Sequence, residues 1–593
     1  MPETEINDGI CYIKEQYVAR RPNEAEENIE KQSCKRKLED SVNNDDVKKL
    51  KCETNDAVSK DKVRKRGQNK ARPKTFSNAR ENKPCPSIVN ISCKEEKQPC
   101  TYNNCQYIHD FREYLKIKKE DIGKECHVFK LRGRCPRGIS CRYGSSHITE
   151  EGYNIVDAER EKLCVEDTKN TIQSSLQTHL QKRKYDFSAS ENLVKSFDKQ
   201  RKSNKSDCNL EIDHAVPSNE NINSGVVTDE DLVKLLPREK RSIDWCDKLY
   251  LSPLTTVGNL PFRRICKSFG ADITCGEMAL CESLLKGAKQ EWALVKRHEC
   301  EDIFGAQICG NNPFTITKVA QLLQDNSELD FIDLNMGCPI DLIYKKGGGS
   351  GMMHRLPALE TSVRCASQIL DIPFTVKMRI GVYQDKRIAH NIMPQVKEWG
   401  ASLITLHGRS KEARYTKLAD WEYIESCAKA VNPLPVYGNG DILSYDDYKS
   451  RRAIAPSVQG VMIGRGALIK PWIFTEIKEQ KLWDISSNER FEIIRKYTNY
   501  GLEHWGSDTQ GVENTRRFLL EWLSFLYRYV PVGLLERPPQ KINQRPPNYF
   551  GRNDLETLMA SGNCSDWIKI TEMLLGPVPD DFIFLPKHKA NSY

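Results

Sequence analysis

No run of about 18 apolar residues occurs in this chain of 593 residues, so no membrane-spanning helix is expected. Met1–Ile10 is acidic and polar with no apolar stretch, which is not the pattern of a secretory signal. Residues 1–82 are rich in Glu, Lys, Asn and Asp and poor in aromatics. Such a segment offers too little apolar surface to offset its ordering entropy, and it reads as a disordered tail. Two nucleotide fingerprints are also missing. No G-x-G-x-x-G follows the first strand candidate, which counts against an open dinucleotide-binding sheet. The run Lys345-Lys346-Gly347-Gly348-Gly349-Ser350-Gly351 lacks the phosphate-loop order, because its lysines precede its glycines. It reads instead as a mobile loop.

What is present begins with 22 cysteines. Without a secretory signal they are expected to be reduced, so regular Cys/His spacing points to metal or catalysis rather than disulfides. The second of two Cys/His units is Cys126-x8-Cys135-x5-Cys141-x5-His147. Three thiolates and an imidazole suit a tetrahedral Zn²⁺ around which a small loop can fold. The first unit ends Cys100-x4-Cys105-x3-His109, and its first ligand is either Cys85 or Cys93, with spacing favouring Cys93. Both units resemble CCCH zinc fingers, which bind single-stranded RNA, and Tyr102, Tyr107, Phe129 and Tyr143 are candidates either to stack on bases or to pack around the metal. The net charge of +8 is modest. Lys60–Lys83 is a basic block suited to nucleic acid or an import receptor.

From about Ile243, short apolar runs alternate with helical patterns. The runs are Leu249–Leu254, Asp272–Met278, Ile303–Cys309, Phe331–Asn335, Phe374–Arg379, Leu403–His407, Pro435–Gly440 and Gly460–Gly464. Helix-like stretches between them include Ile316–Leu323, Leu359–Leu370 and Ile388–Trp399. Eight strand–crossover units predict an α/β fold, a (β/α)8 TIM barrel. Beyond Lys478 the strands stop, and Phe491–Trp505, Glu513–Tyr529 and Ser565–Leu575 predict a C-terminal helical domain. The expected division is a disordered basic/polar tail (1–82), tandem fingers (83–150), a charged linker with some helix (151–242), the barrel (243–476) and the helical domain with its tail (477–593).

Such barrels place their chemistry at the C-terminal ends of the strands. Those ends deliver Ser252-Pro253-Leu254, Gln307, Asn335 with Cys338, Lys377 with Arg379, His407, Asn439-Gly440-Asp441 and Gly464-Arg465. Glycine-rich turns after the last two strands suit a phosphate. With Lys377, His407 and Gln307 around the mouth, the set fits flavin mononucleotide (FMN). Cys338 ends the fourth strand in a Gly-Cys-Pro turn, as a packing residue, a nucleophile or an acid; an ordinary thiol titrates near pH ~8.5 and is mostly protonated at neutrality.

Asn335-Met336-Gly337-Cys338-Pro339, Val376-Lys377-Met378-Arg379, Leu406-His407-Gly408-Arg409, Gly438-Asn439-Gly440-Asp441 and Gly464-Arg465-Gly466-Ala467 stand in the order seen in the tRNA-dihydrouridine synthases. With the paired fingers, Leu418-Ala419-Asp420-Trp421 and Gly501-Leu502-Glu503-His504-Trp505, the chain resembles their zinc-finger-bearing eukaryotic branch, which modifies uridine 47 in the tRNA variable loop. The resemblance implies FMN-dependent reduction of the uracil C5=C6 bond, with NADPH as reductant, hydride to C6 and a proton from Cys338 to C5 as the catalytic residue. It implies FMN contacts from Ser252, Pro253, Leu254, Gln307, Lys377, His407, Asn439, Gly440, Asp441, Gly464 and Arg465. It implies two structural Zn²⁺ sites, Cys85, Cys100, Cys105, His109 and Cys126, Cys135, Cys141, His147, the Cys-Pro-Ser context favouring Cys85. The expected partners are tRNA, with mRNA as a second candidate, and NADPH. A monomer in the cytoplasm and/or nucleus, without a membrane, is expected. Arg516, Arg517, Arg528, Arg537 and Arg545 are candidates for gripping tRNA. Two rival readings are a small-molecule pyrimidine-reducing flavoenzyme and a non-catalytic zinc-finger RNA-binding protein. A metabolite enzyme needs neither fingers nor helical domain, and a retired barrel has no need of the intact strand-end set.

Overall fold

The computed structural model describes residues 9–19, 76, 78–96, 99–164, 167–206 and 241–587. Residues 1–8, 20–75 and 77 of the expected disordered tail, with most of the basic block, lie outside the described residues.

Eight parallel strands close the barrel: β1 (Leu249–Leu251), β2 (Ile273–Cys275), β3 (Ile303–Cys309), β4 (Phe331–Met336), β5 (Phe374–Arg379), β6 (Leu403–His407), β7 (Val436–Asn439) and β8 (Gly460–Ile463). They run in the order β2-β1-β8-β7-β6-β5-β4-β3, and β2 pairing with β3 completes the ring. The crossovers include helices Pro313–Asn326, Leu356–Ile369, Ala389–Glu398 and Trp421–Val431. Every expected strand is present, the first two shorter than their apolar runs.

Strand parity sorts the barrel interior into layers. The floor is an apolar plug in which Trp245 and Tyr250 pack edge-on to Phe331, with ring centroids 5.6 and 5.9 Å apart, and Tyr437 joins them. Gly305 is required at this level: a Cβ there would come within 2.3 Å of the Phe331 ring. Two residues further along β4, Asp333 occupies a polar middle layer, and two further still Asn335 reaches the mouth. Register keeps the neighbouring functional groups level, with Asn335 opposite Lys377, Arg379 opposite His407, and Asn439 opposite His407. The apolar floor supports the stack, and the mouth carries the polar groups.

The helical domain contains α1 (Ser487–Trp505), α2 (Thr509–Leu526), α3 (Asp554–Ala560) and α4 (Cys564–Leu575). A capping box of Ser486 and Glu489 starts α1. Trp522 of α2 is fully buried, stacks edge-on to Phe262 at 5.4 Å, and donates to the Leu468 carbonyl at 3.0 Å. This anchors α2 to the barrel beside β8.

Two segments depart from their composition. Residues 9–19 of the expected disordered tail are ordered: Cys11 and Ile13 are buried against Val530, Leu534 and Leu535. Backbone bonds of 2.9 Å join Cys11 to Arg545 and Lys14 to Leu534. Two apolar residues at alternate positions suffice to dock a strand-like segment, and the polar average over 82 residues hides them. Residues 167–206, within the expected linker, pack on the barrel. Thr168–Lys169 pairs antiparallel with Arg297–His298, and helix Ser188–Ser206 lies on Pro313–Asn326 and Leu356–Ile369, burying Val194 completely.

Candidate active site and metal centres

A cavity of about 530 Å³ opens at the barrel mouth, a volume typical of small-ligand sites. Every expected FMN contact lines it, from Ser252, Pro253 and Leu254 through Gln307, Lys377 and His407 to Asn439, Gly440, Asp441, Gly464 and Arg465, together with Cys338. The fold therefore gathers into one cavity residues spread over more than two hundred positions.

A hydrogen-bonded relay places Cys338. Buried Asp333 accepts from Gln307 Nε2 and from Thr375 Oγ1, each at 2.7 Å. Gln307 Oε1 then accepts from Asn335 Nδ2 at 2.7 Å. Asn335 Oδ1 in turn accepts the amides of Gly337 and Cys338 at 3.1 and 2.9 Å. From the other side Arg379 Nε donates to the Gly337 carbonyl at 2.9 Å, and Ser350 Oγ to the Cys338 carbonyl at 2.9 Å. The turn is held on both flanks. The Gly-rich run beside it is not the expected mobile loop. Gly348–Gly351 are buried and form a wall behind Cys338, because the glycines let the backbone pack close; only Lys345 and Lys346 stay exposed.

Electrostatics assign protonation states. Burial pushes the Cys338 thiol above its ordinary value, against a hydrogen bond from the Ile340 amide and the charge of Arg379. The thiol is therefore protonated at neutral pH. Burial and Arg379 push Lys377 down to about 8. Burial, with Arg379, Lys377, Arg409 and Arg465 around it, holds His407 well below its ordinary value, so its ring is neutral.

At the last two strand ends, Asp441 is a hub. Arg409 Nη2 reaches its two oxygens at 2.6 and 2.7 Å, Arg465 Nη2 lies 2.8 Å away, and the Ala419 amide donates at 2.7 Å. Its carboxylate thus positions two guanidiniums. Gly440 has φ +140°, and a Cβ would approach Ala419 Cβ to 2.5 Å, so this turn requires glycine. Arg409 Nη1 is buried without a hydrogen-bond partner, an orphaned donor suited to an anion. Arg409, glycine turns and Arg465 fit a phosphate group.

Several lining groups lie outside the strand-end set. Tyr415 comes from the loop after β6, with Arg465 4.3 Å and Arg409 5.4 Å from its ring centroid. Phe525, Arg528 and Ile542 come from the helical domain, and Lys587 from the C-terminal segment. Apart from Arg528, a candidate for gripping tRNA, nothing local in the sequence marks them, since tertiary docking brings them there.

Two Cys/His groups gather with all ligand atoms within 4.8 Å of one another: Cys85, Cys100, Cys105, His109, and Cys126, Cys135, Cys141, His147. The first contains Cys85 rather than Cys93, which spacing favoured. A bridge between Pro84 and Ile108 draws Cys85 alongside its partners, and helix Pro86–Val89 carries the chain away, leaving Cys93 exposed. In the second, His147 Nδ1 donates to Asn154 Oδ1 at 3.0 Å, while buried Nε2 has no partner. This tautomer presents a lone pair to the three thiols, as a metal ligand requires. Amides of Phe129 and Tyr143 donate to Cys126 and Cys141 sulfurs, each at 3.4 Å. Both donor sets fit Zn²⁺.

The second finger is built into the helical domain. The Arg142 amide donates to the Ser507 carbonyl at 2.8 Å, Cys135 Sγ lies 3.4 Å from Ser507 Oγ, and His127 Nε2 contacts Glu503 Oε1 at 2.7 Å. Tyr143 is buried with Leu502, Val512 and Leu575, and Phe129 stacks on His147 at 5.3 Å. Of the two alternatives, Tyr143 takes packing and half-buried Phe129 packs against the finger's histidine, whereas Tyr102 is 76% exposed. Arg516 is corrected likewise, whereas Arg528 lines the cavity rather than the outer surface. Arg516 is buried and donates to the Leu575 and Gly576 carbonyls at 2.7 and 2.9 Å, and buried Arg528 to Ile542 at 3.2 Å. Arg537 is exposed, and Arg517 and Arg545 are half-buried.

Residues 250–524 match the family model described as Dihydrouridine synthase (Dus), and residues 118–150 match the DUS3L CCCH zinc finger domain. A Xenopus tropicalis protein named "tRNA-dihydrouridine(47) synthase [NAD(P)(+)]-like" is 54% identical over 545 residues, covering 89% of this chain and 83% of the relative. Its Homo sapiens namesake is 52% identical, covering 89% and 84%. The Arabidopsis thaliana namesake is 40% identical, covering 86% and 85%. By its barrel, its finger and these similarities, the chain belongs to the dihydrouridine synthase family.

Proposed function

We propose that this chain reduces the C5=C6 bond of a uridine in tRNA, at position 47, to 5,6-dihydrouridine. One observation carries the reading: a protonated thiol, Cys338, is fixed at the mouth of a cavity walled by cations. The relatives named for position 47 support the substrate.

Dihydrouridine synthases are flavin-dependent and use NAD(P)H. FMN is the flavin whose single phosphate suits the turns at Gly440, Asp441, Gly464 and Arg465, with Arg409 behind them. Gln307, Lys377, His407 and Asn439 would engage its polar ring edge, and Ser252, Pro253 and Leu254 its flank. Bound at these residues and reduced by NADPH, FMN would supply the hydride for C6 of the uracil. Cys338 gives its Sγ proton to C5, and the thiolate left behind takes a proton from water. Cations at the mouth offset negative charge developing toward the C4 carbonyl. Neutral His407 adds a hydrogen bond without competing for the proton. Zn²⁺ held by Cys85, Cys100, Cys105 and His109 and by Cys126, Cys135, Cys141 and His147 would keep the fingers folded. The target base must be splayed out of folded RNA at a cost of a few kcal/mol; contacts to the fingers and helical domain offset this.

Mapping dihydrouridine in tRNA from cells lacking this chain tests the reading. Loss at position 47 is expected; loss only elsewhere overturns the position, and no loss overturns the reaction. The charge of Lys377 adds a pH dependence. Its cationic form prevails below about 8, so FMN affinity of the apoprotein should weaken as pH rises through that value. Fluorescence titration reads the affinity, and Lys377→Met should flatten the profile. An unchanged slope in the variant would place the titrating group elsewhere.

A further inference from the structure

The C-terminal segment, residues 577–587, ends at the barrel mouth as a strap. Exposure alternates along it: Phe582 and Phe584 pack against the core, while Ile583 and Leu585 face outward. The strap is pinned at its end, where the Lys587 amide donates to Glu521 Oε2 of α2 at 2.9 Å. Glu521 is itself buried. The anchoring carries the Lys587 side chain to the cavity that also contains Cys338, Lys377 and Gln307. There its Nζ donates to Thr256 Oγ1 at 3.4 Å.

Thr256 makes this contact in an uncommon conformation. Its φ is +77°, a region costly for a β-branched side chain, and such strain concentrates at ligand sites. The strain is held in place by its amide, which donates to Glu277 Oε2 at 2.6 Å. The strap lies beyond residues 250–524 matched by the family model. Its lysine is thus an addition to the barrel's own strand-end set.

We propose that Lys587 is a substrate-contacting residue, binding a backbone phosphate of the RNA beside the target nucleotide as that nucleotide enters the barrel. The inference rests on the reading that the substrate is RNA. An ammonium on a flexible stem suits a phosphate as a point charge. The phosphate of FMN is matched by a different set, the turns after β7 and β8 with Arg409 and Arg465. A base splayed into the mouth brings its flanking phosphates to the rim, where Lys587 is exposed.

The test uses the full chain carrying FMN and its metals, comparing wild type with Lys587→Ala, Lys587→Gln and Lys587→Arg. Dihydrouridine formation is measured against tRNA concentration at several salt concentrations, alongside FMN content, melting temperature and the rate of flavin reduction by NADPH. For Lys587→Ala and Lys587→Gln, KM for tRNA should rise roughly three- to ten-fold, and the slope of log kcat/KM against log salt should shrink by about 1. FMN content, melting temperature and flavin reduction should match wild type, and arginine should recover most of the loss. An active wild type with unchanged KM and slope in both variants overturns the inference alone. Loss of FMN overturns it in favour of a flavin contact, and slowed flavin reduction in favour of a dinucleotide phosphate. A wild type inactive on tRNA overturns the RNA reading, and this inference with it.

Discussion

Replacing Cys338 by alanine is expected to cut dihydrouridine formation by about 10²–10⁴-fold, the usual contribution of a positioned proton donor, with FMN and tRNA still bound. The effect should be large because, among the described residues, Cys338 is the only thiol lining the cavity. Neighbouring groups are poor substitutes. His407 is held neutral by burial and the surrounding cations, and Arg379 is committed to the Gly337 and Ser410 carbonyls. Burial raises the thiol, so the donating form persists through neutral pH; the same shift makes a resting thiolate nucleophile unfavourable. Cys338→Ser keeps the shape but offers a weaker acid, and it should fall between wild type and alanine. Quantifying dihydrouridine in single-turnover reactions with prereduced enzyme isolates this step. Near-normal product from the alanine variant would show that the proton comes from another group.

The second large effect concerns metal. Cys135→Ser should remove one of the two Zn²⁺ that the Cys/His groups are proposed to hold and unfold the segment around residues 126–147. Metal binding in small fingers amounts to about 10–16 kcal/mol, far more than so small a core supplies by packing. The consequence should spread to the helical domain. Burial of Val128 and Tyr143 against Leu502, Val512 and Leu575 stabilises that interface by roughly 3–6 kcal/mol for two large side chains, and all of it depends on a folded finger. Metal analysis, limited proteolysis near Cys126–His147 and tRNA affinity together read the outcome. Zinc content should fall by one, cleavage should appear, and affinity should drop several-fold. Unchanged zinc with Cys135 replaced would remove that residue from the ligand set.

Much of the fold was legible because its signals are local. A buried parallel strand is a short apolar run closed by a turn, and eight such runs appear in order. Strand parity then makes the residues at each strand end converge, so Cys338, Lys377, His407 and Asp441 could be named before any coordinates. The fingers were legible for the same reason, since ligand spacing is a local property. Composition misled where an average concealed a few decisive residues. Cys11 and Ile13 dock within an otherwise polar tail, and Val194 buries a helix within a charged segment. Basic residues misled differently: Arg516 and Arg517 are adjacent on one helix, yet one is buried and the other half-buried, because only the packing of α2 against α4 sets which side faces inward.

By itself, then, the amino-acid sequence determined the barrel, the residues at its strand ends, three members of the first Cys/His group and all four of the second, all of which rest on periodicity and spacing along the chain. The tertiary structure placed Cys85, which the Cys-Pro-Ser context favours, in the first group in place of Cys93, packed Tyr143 into the finger's interface with the helical domain, and set Asp441 between two arginines. It also carried Lys587 to a mouth whose first strand lies more than three hundred residues earlier. These outcomes depend on contacts between distant segments, whose energies come from surfaces that meet only once the chain has folded.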